Sequence, residues 1–250
     1  MSSSSLGPLD VFGLRLQLFL DRLVFPFLGL SILVYVRYIR RARFARLHEL
    51  RAEYRELMAD KRPTLICANH LTNFDTLFLN YGLGSLPGYM REFRLIPWNV
   101  PAAENFTVSL FLRALTYFGK CIAVDRWGDN AHHEKVRAKL RWLMERGEPV
   151  NMFIEGGRSR TGRVEPENAV YGPGRLYLEV PGARVLCIYM RGEKQEAHTT
   201  LPAADQEFHM AFETIEPTSD QKGLRGGRDI AGQIIRKLKA MEDEYFAGRS

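Results

Sequence analysis

Residues 67–75 have the sequence Cys-Ala-Asn-His-Leu-Thr-Asn-Phe-Asp, in which a histidine precedes an aspartate by five positions. The apolar run 63–67 predicts a buried strand, and residues 76–81 predict a helix. His70 is therefore expected at the point where a strand ends and a helix begins.

Asp75 is expected in the first turn of this helix, with Asn73 as the N-cap, so that the carboxylate reaches back toward the loop. A carboxylate beside His70 would fix the tautomer of the imidazole and stabilise its protonated form, as a general base working near neutral pH requires. The alternative is structural: the histidine is a hydrogen-bonded loop residue and the aspartate is a helix cap. This stretch alone leaves both interpretations open.

The composition is that of a folded protein, with 250 residues of which 46% are hydrophobic and 26% are charged. The net charge of +6 is unevenly distributed, because residues 1–62 carry eleven Lys or Arg against six Asp or Glu. A nucleic-acid-binding protein would be expected to spread a basic face over its main fold. The charge distribution therefore favours an anionic membrane surface that the N-terminal region contacts.

Metal binding and disulfide bonds are not expected. Cys67, Cys121 and Cys187 each lie in an apolar run, and without a C-x-x-C pattern they are expected to be small buried residues of a protein in a reducing compartment. His132 and His133 are adjacent, and no H-E-x-x-H or paired-cysteine spacing occurs. The sequence predicts no metal site.

The N-terminal region contains an uncharged run of fourteen residues, 23–36, after a less apolar segment that includes Arg15 and Gln17. Fourteen helical residues extend about 21 Å, whereas the hydrocarbon core of a bilayer is about 30 Å thick. Because Pro26 and Gly29 also favour a break, we expect a membrane-associated pair of short helices that lies in, or dips into, one leaflet. The alternatives are one spanning helix that includes the charged segment and a helix pair packed in the core.

Residues 37–46 hold five arginines and no acidic residue. Beside an apolar segment, such a cluster attracts anionic headgroups and is expected to face the cytoplasm. A helix is expected to continue from this cluster through Leu47, Leu50 and Tyr54 to Met58, with one apolar face. The alternative is a charged face that simply contacts solvent.

The rest of the chain alternates between strand and helix, which is typical of an α/β fold. We expect a central mixed sheet flanked by helices over residues 63–250, with the N-terminal membrane-associated helices over residues 1–62. The predicted strands are Thr64–Cys67, Phe93–Ile96, Cys121–Val124, Val150–Ile154, Arg184–Tyr189 and Glu207–Glu213. The predicted helices are Asn73–Tyr81, Thr107–Tyr117, Asn130–Arg146, Val170–Val180 and Gly226–Phe246.

Two further blocks carry residues suited to chemistry. Residues 119–126, Gly-Lys-Cys-Ile-Ala-Val-Asp-Arg, predict a strand that ends on an arginine, and residues 152–163 predict a strand that runs into a loop with three glycines and three arginines. Glycines let the backbone approach a ligand, and guanidinium groups match phosphate oxygens two at a time. An anionic substrate is expected, although each block alone also fits a plain turn with exposed arginines. No G-x-S-x-G pattern occurs, so the sequence contains no serine-hydrolase elbow of that type.

Taken in this order, the blocks at 69–75, 119–126 and 153–159 resemble motifs of the glycerol-phosphate and lysophospholipid acyltransferase family, over about residues 63–190. The resemblance implies that His70 is the general base on an acceptor hydroxyl and that Asp75 supports it. The residues that it implies for the glycerol-phosphate group are Arg126, Glu155, Gly156 and Arg158. Further substrate-binding residues are expected at Arg160 and Arg163, and at Thr72, which keeps the hydroxyl that many members carry as serine.

The resemblance implies direct transfer of a fatty acyl group from an acyl thioester, acyl-CoA or acyl-carrier protein, to a hydroxyl of the acceptor. No cofactor is expected besides this co-substrate. The third block is closest to members that acylate glycerol-3-phosphate or dihydroxyacetone phosphate, whereas the chain length resembles the lysophosphatidate group, so the acceptor stays open.

The expected partners are the lipid bilayer, the thioester donor and the acceptor, at the cytoplasmic face of the inner or cell membrane; the oligomeric state stays open. Two alternatives belong to other classes. One is a non-catalytic, membrane-associated lipid-binding protein with the same fold. The other is a nucleic-acid-binding protein that uses residues 37–46 and binds with strong salt dependence.

Overall fold

The computed structural model describes residues 6–105 and 109–249. Its strands are β1 (Arg43–Phe44), β2 (Thr64–Ala68), β3 (Trp98–Asn99), β4 (Val150–Phe153), β5 (Arg184–Gly192) and β6 (Glu207–Ile215). Within the described ranges they form one mixed sheet in the order β1-β6-β5-β2-β4-β3. The predicted α/β fold with a mixed central sheet is confirmed.

The centre of the sheet consists of parallel strands. β2 lies between β4 and β5, with Cys67 opposite both Met152 and Cys187. Every residue of β2 and β5 is buried, as expected for strands that are covered on both faces. β6 pairs antiparallel with β5. The carboxyl ends of β2 and β4 therefore meet at one edge of the sheet, which we call the carboxyl edge.

The helices are α1 (Pro8–Leu33), α2 (Leu47–Leu57), α3 (Asp75–Leu83), α4 (Leu86–Arg91), α5 (Leu110–Phe118), α6 (Asn130–Met144), α7 (Gly172–Leu178) and α8 (Gly223–Ala247). The helices predicted in the main domain are confirmed as α3, α5, α6, α7 and α8, with shifted ends. Thr107, at the predicted start of one of them, lies outside the described residues. α5 begins at Leu110, where the Ser109 side chain accepts a hydrogen bond from the Leu112 N–H at 3.1 Å.

The predicted strand Phe93–Ile96 is wrong. Phe93–Leu95 is a short 3-10 helix, and the sheet position is taken by the two-residue β3 that follows. The segment is apolar because its side chains are buried in the core, and a four-residue apolar run does not distinguish a helical turn from a strand.

The predicted strand Cys121–Val124 is also wrong as a continuous element. Its two ends form isolated parallel bridges with Asn99 and Ala102. Pro101 lies between these two residues and has no N–H to donate, so it interrupts the partner side of the ladder.

The N-terminal apolar region forms one helix, so the predicted helical pair is wrong. α1 continues past Pro26 and extends as a π-helix over Val34–Ile39. Packing beside the proline offsets the lost intrahelical hydrogen bond. The Phe25 ring contacts the rings of Tyr89 and Phe93 at centroid distances of 6.1 and 5.4 Å. Gly29 lets the helix approach α4 closely. By length and composition Pro8–Ile39 could cross a membrane, which is weak support for membrane association.

α1 buries polar side chains and exposes apolar ones. Gln17 and Asp21 face the fold, and the Gln17 amide donates to the carbonyls of Tyr117 and Cys121 at 2.9 and 3.0 Å. The opposite face carries an apolar stripe whose side chains are each at least 40% exposed. We call it the outer stripe, and it consists of Leu9, Phe12, Leu16, Phe19, Leu23, Phe27, Leu30 and Val34. Spacings of three and four place these residues on one helix face.

The helix predicted to continue through the arginine cluster is interrupted. Arg41 and Arg46 have positive φ angles of 52° and 55°, and β1 lies between them and pairs with β6. α2 then begins at Leu47, and its Leu50 and Tyr54 pack into the core. The predicted boundary at residue 62 stays a prediction.

A buried lysine lies near the inner face of α1. The ammonium of Lys120 donates to the carbonyl of Ile96 and to the carboxylate of Glu148, both at 2.6 Å. Burial lowers the pKa of Lys120, while the charges of Glu148 and of Asp21 in α1 act in the opposite direction. Hydrogen bonds from Gln17 thus hold α1 to the fold together with apolar packing, and Lys120 adds a favourable charge near Asp21.

We predict that Lys120→Met lowers the free energy of unfolding by about 3 kcal/mol, because it leaves the largely buried Glu148 carboxylate without its cation. Adding Asp21→Asn removes a second buried carboxyl group near the lysine and should restore part of the loss. Thermal unfolding of the detergent-purified variants measures both effects.

Lys222→Met, at an exposed position before α8, is the control and should leave stability unchanged within about 0.5 kcal/mol. A double variant no more stable than Lys120→Met would show that Asp21 is not coupled to the lysine.

Candidate active site

A histidine and an aspartate meet at the carboxyl edge. His70 follows β2, and its Nδ1 lies 2.9 Å from Oδ2 of Asp75, in the first turn of α3. The imidazole stacks on Phe153 of β4, with 4.0 Å between ring centroids and 12° between ring planes. Its side chain is 18% exposed. Because the carboxylate accepts from Nδ1–H, the Nε2 lone pair is the one available to a substrate.

The Asp75 carboxylate is buried and binds three further donors. Oδ2 accepts from the backbone N–H groups of Leu71 and Thr72 at 2.6 and 2.8 Å, and Oδ1 accepts from the Thr72 hydroxyl at 2.6 Å. The prediction that this carboxylate reaches back to the loop is confirmed. Asn73 as N-cap is wrong: the cap position is Phe74, and the carboxylate itself binds the loop N–H groups. The Thr72 hydroxyl is buried under the loop and supports Asp75 there.

Asn69 holds the loop to the neighbouring strand. Its amide donates to the carbonyl of Met190 at 3.0 Å and accepts from the N–H of the same residue at 2.8 Å. The side chain thereby extends the pairing between β2 and β5 by one position. This role was not predicted, and an asparagine directly before the histidine at a strand end was the signal for it.

Glu155 follows β4 and lies beside the His70 backbone. Its Oε1 accepts from the N–H of His70 at 3.0 Å. Burial is the main cause that raises the pKa of Glu155 to about 8, and the nearby carboxylates of Glu242, Glu165 and Asp75 act in the same direction. In this structure Glu155 supports the histidine loop, and its predicted contact with a substrate stays a prediction.

The glycine- and arginine-containing loop, residues 156–163, passes beneath the histidine. Ser159 donates its N–H to the carbonyl of His70 at 2.9 Å. Gly156 and Gly162 have φ angles of 64° and 70°, which favour glycine. A Cβ on Gly162 would lie 2.2 Å from the carbonyl oxygen of Glu196, so only glycine fits there.

The four predicted arginines lie at the same edge but in different surroundings. Arg158 is exposed next to Ser159, and no ion-pair partner for it exists among the residues that the structure describes. Arg160 is also exposed. The guanidinium of Arg163 lies 3.4 Å from the ring centre of Phe246 in α8.

Arg126 is farther from the histidine. It follows the segment that bridges to β3. Because β3 is two strand positions from β2, this segment is three positions from β2, or about 14 Å. Its Nε lies 3.6 Å from the carboxylate of Glu104. Arg158 therefore belongs to the loop that contacts His70, whereas Arg126 could contact only a more distant part of a bound molecule.

Residues distant in the sequence hold this loop from below. The Glu242 carboxylate of α8 is buried and accepts from the N–H of Val164 at 3.1 and 3.2 Å and from Lys239 at 2.8 Å. Arg191, at the end of β5, is buried and donates to the carbonyls of Gly162 and Gln195. Neither role was predicted. The signals were an acidic residue on the apolar face of α8 and an arginine that ends a long apolar run.

Metal chemistry has no visible basis in the described ranges, where no group of three or more His, Cys, Asp or Glu is arranged to hold a metal ion.

Comparison with known families identifies the chain. A family model described as Acyltransferase matches residues 46–191, more than half of the sequence. The chain belongs to the acyltransferase family. The matched part of this acyltransferase contains His70, Asp75 and both the 119–126 and 152–163 blocks, so the family predicted from these blocks is confirmed at the level of acyl transfer. No curated protein matches the acyltransferase in a sequence comparison.

The raised pKa of Glu155 predicts a pH dependence. Between about pH 4.5 and pH 8 the folded acyltransferase holds a proton that the unfolded chain has released, so stability should fall as pH rises through this window. Glu155→Gln keeps an oxygen that accepts from the His70 N–H and cannot ionise. Its advantage over the parent should grow to the order of 2–4 kcal/mol at about pH 9, measured by thermal unfolding.

The matched control is Glu167→Gln, an exposed position near the same loop, whose difference from the parent should not change with pH. If the stability of the parent and of Glu155→Gln changes with pH in the same way, the pKa of the Glu155 carboxyl group is not raised.

Proposed function

We propose that this acyltransferase moves a fatty acyl group from an acyl thioester to a hydroxyl of a glycerol-phosphate or lysophospholipid acceptor in phospholipid biosynthesis. The observation that carries the proposal is the 2.9 Å contact between His70 Nδ1 and Asp75 Oδ2 within the family-matched segment. It leaves Nε2, on a partly exposed ring, as the base for an incoming hydroxyl.

In the proposed reaction, Nε2 of His70 takes the hydroxyl proton while the oxygen attacks the carbonyl carbon of the thioester. The resulting imidazolium is stabilised by the Asp75 carboxylate. The tetrahedral intermediate then expels the thiolate as the C–S bond breaks, and the imidazolium returns its proton to the sulfur. No acyl-enzyme forms, and no cofactor other than the thioester takes part.

The proposed acceptor site lies along the carboxyl edge. Arg158 would bind the acceptor phosphate, because it is exposed and directly precedes Ser159, whose N–H contacts His70. Arg126 would reach the far side of a larger acceptor, with Arg160 and Arg163 assisting. Gly156, whose φ angle of 64° turns the loop, would present its backbone to the acceptor, and Glu155 would form a hydrogen bond with a second acceptor hydroxyl. Holding the phosphate would orient the reacting hydroxyl, which is catalysis by positioning.

The proposed location is the cytoplasmic face of the membrane, with α1 lying along the bilayer surface. The inward Gln17 and Asp21 and the apolar outer stripe support this placement, because a helix docked along one side and apolar on the other fits an interfacial position. The arginines of residues 37–46 would then contact anionic headgroups. Acyl-CoA and acyl-carrier protein are both proposed donors. The fatty acyl chain of the donor would enter from the side of the lipid leaflet.

The decisive measurement is thiol release from an acyl thioester by the detergent-purified protein, with glycerol-3-phosphate, dihydroxyacetone phosphate or lysophosphatidate as acceptor. We expect release that depends on one acceptor and falls by about a hundredfold or more in His70→Ala. Running acyl-CoA and acyl-carrier protein in parallel identifies the donor.

Arg158→Gln should raise the KM for the acceptor while leaving the KM for the donor unchanged, and Arg225→Gln, at an exposed position in α8, is its control. Release that never depends on an acceptor, or that survives the loss of His70 in a folded variant, would contradict the proposal. The absence of release with both donors would favour the non-catalytic lipid-binding alternative.

The membrane placement generates a separate prediction. Phe19→Gln and Leu23→Gln remove apolar side chains from the outer stripe without touching the core, so the fold should persist. Each should lower partitioning onto vesicles that contain anionic lipid by about tenfold or more, because each loses about 1.5–3 kcal/mol of apolar burial. Vesicle flotation measures the bound fraction.

Leu224→Gln removes an equally exposed leucine from α8 and is the matched control, with unchanged flotation. If the stripe variants float as the control does, α1 does not insert into the bilayer.

A further inference from the structure

A cleft separates α1 from the helices beneath it. Its volume is about 170 Å³, and apolar residues of α1 such as Phe25, Leu28 and Ile32 form one wall. Asn80 and Arg51 contribute to the opposite side. We call this space the α1 cleft.

The α1 cleft lies away from the candidate active site. His70 and Asp75 lie at the N-terminal end of α3, whereas the cleft is lined by residues at the other end of this helix, from Asn80 to Gly84. Gly84 follows Asp75 by nine residues, which is about 13 Å along the helix. The cleft is therefore a second space, at the opposite edge of the sheet from the histidine.

Two polar groups on the cleft wall lack partners. Nε of Arg51 and Oδ1 of Asn80 are buried atoms with no hydrogen-bond partner among the residues that the structure describes. Leaving such groups unsatisfied costs about 1–3 kcal/mol each, and more for a charged group. Both residues line the α1 cleft, so part of the hydrogen-bonding capacity of its wall is unused.

The charge of Arg51 is also uncompensated. One of its terminal nitrogens donates to the carbonyl of Tyr81 at 2.7 Å, and the guanidinium stacks over the Tyr81 ring at 4.9 Å. Over residues 6–105 and 109–249, no carboxylate forms an ion pair with it. An apolar cleft with one unpaired cation on its wall is complementary to a molecule with a hydrocarbon chain and an acidic head group.

We propose that the α1 cleft binds a single-chain lipid with an acidic head group, either a carboxylic acid or a phosphate monoester. The acidic head group accepts from the Arg51 guanidinium, and the hydrocarbon chain lies along the apolar wall of α1. This site is separate from the site of acyl transfer, and the inference does not depend on the proposed reaction.

The test uses the full-length protein in nanodiscs of phosphatidylcholine, which has no net charge, with empty nanodiscs as the reference. Dodecanoate, dodecyl phosphate and dodecanol are titrated by calorimetry, since they share one chain and differ in head group. We expect dodecanol to bind least, and the tighter of the two acids identifies the head group. If dodecanol binds as tightly as both acids, the cleft recognises only hydrocarbon and the proposal is wrong.

Arg51→Gln should weaken binding of the preferred acid by about tenfold to a hundredfold, as expected for a hydrogen bond to a charged group. Arg55→Gln removes the same charge from the exposed face of α2 and should bind as the parent does. Equal binding by these two variants would overturn the proposal. Arg51→Lys keeps the charge without the planar fork, and it provides the comparison if Arg51→Gln does not fold.

Two glycines of α1, Gly29 and Gly13, allow a test of where the hydrocarbon chain of the lipid lies. A Cβ on Gly29 would lie 2.7 Å from the Leu86 side chain across the cleft, whereas a Cβ on Gly13 would have no neighbour within 4 Å. Both alanine substitutions raise helix propensity by the same amount. Only the methyl group of Gly29→Ala would occupy the α1 cleft, so only this variant should weaken binding of the acid. Unchanged binding in Gly29→Ala would place the chain elsewhere and contradict the proposed site.

Discussion

The candidate active site depends on one buried carboxylate. Asp75 binds the imidazole of His70, the N–H groups of Leu71 and Thr72, and the Thr72 hydroxyl. A buried charge is tolerated when its hydrogen-bonding capacity is filled, and here the donors come from three consecutive residues. The loop is therefore wrapped around the carboxylate, and one cause fixes both the loop conformation and the orientation of the histidine. The chain from 70 to 75 is too short to satisfy these contacts in many other ways.

The surrounding fold holds that loop from several sides. Asn69 ties it to β5, Glu155 binds the His70 N–H, and the Ser159 N–H binds the His70 carbonyl. The arginine-containing loop is in turn held by Glu242 of α8 and by Arg191. Segments from four parts of the chain thus meet below the imidazole. These hydrogen bonds support the loop that carries His70, which suits a site that acts by positioning.

The sequence predicted what depends on local pattern. The strands at β2, β4 and β5 are apolar runs in a buried sheet, and the spacing of His70 and Asp75 was visible without a structure. The 93–96 run was interpreted as a strand because short buried turns and strands look alike. Pro26 suggested a break, but tertiary packing around Phe25 overrides it. Glu242 and Arg191 could not be assigned, because their contacts are with residues far away in the chain.

Because α1 is polar on its inner face and apolar on its outer face, it affects how far the active site lies from the bilayer. Its inner face is joined to the domain through Gln17, which donates to the carbonyls of Tyr117 and Cys121, so the position of the helix is set by the fold. With the outer stripe in hydrocarbon, as proposed, α1 sets the distance between the α/β domain and the bilayer. The height of the histidine above the headgroups is then a constant of the fold, which restricts the enzyme to hydroxyl groups presented at that one level.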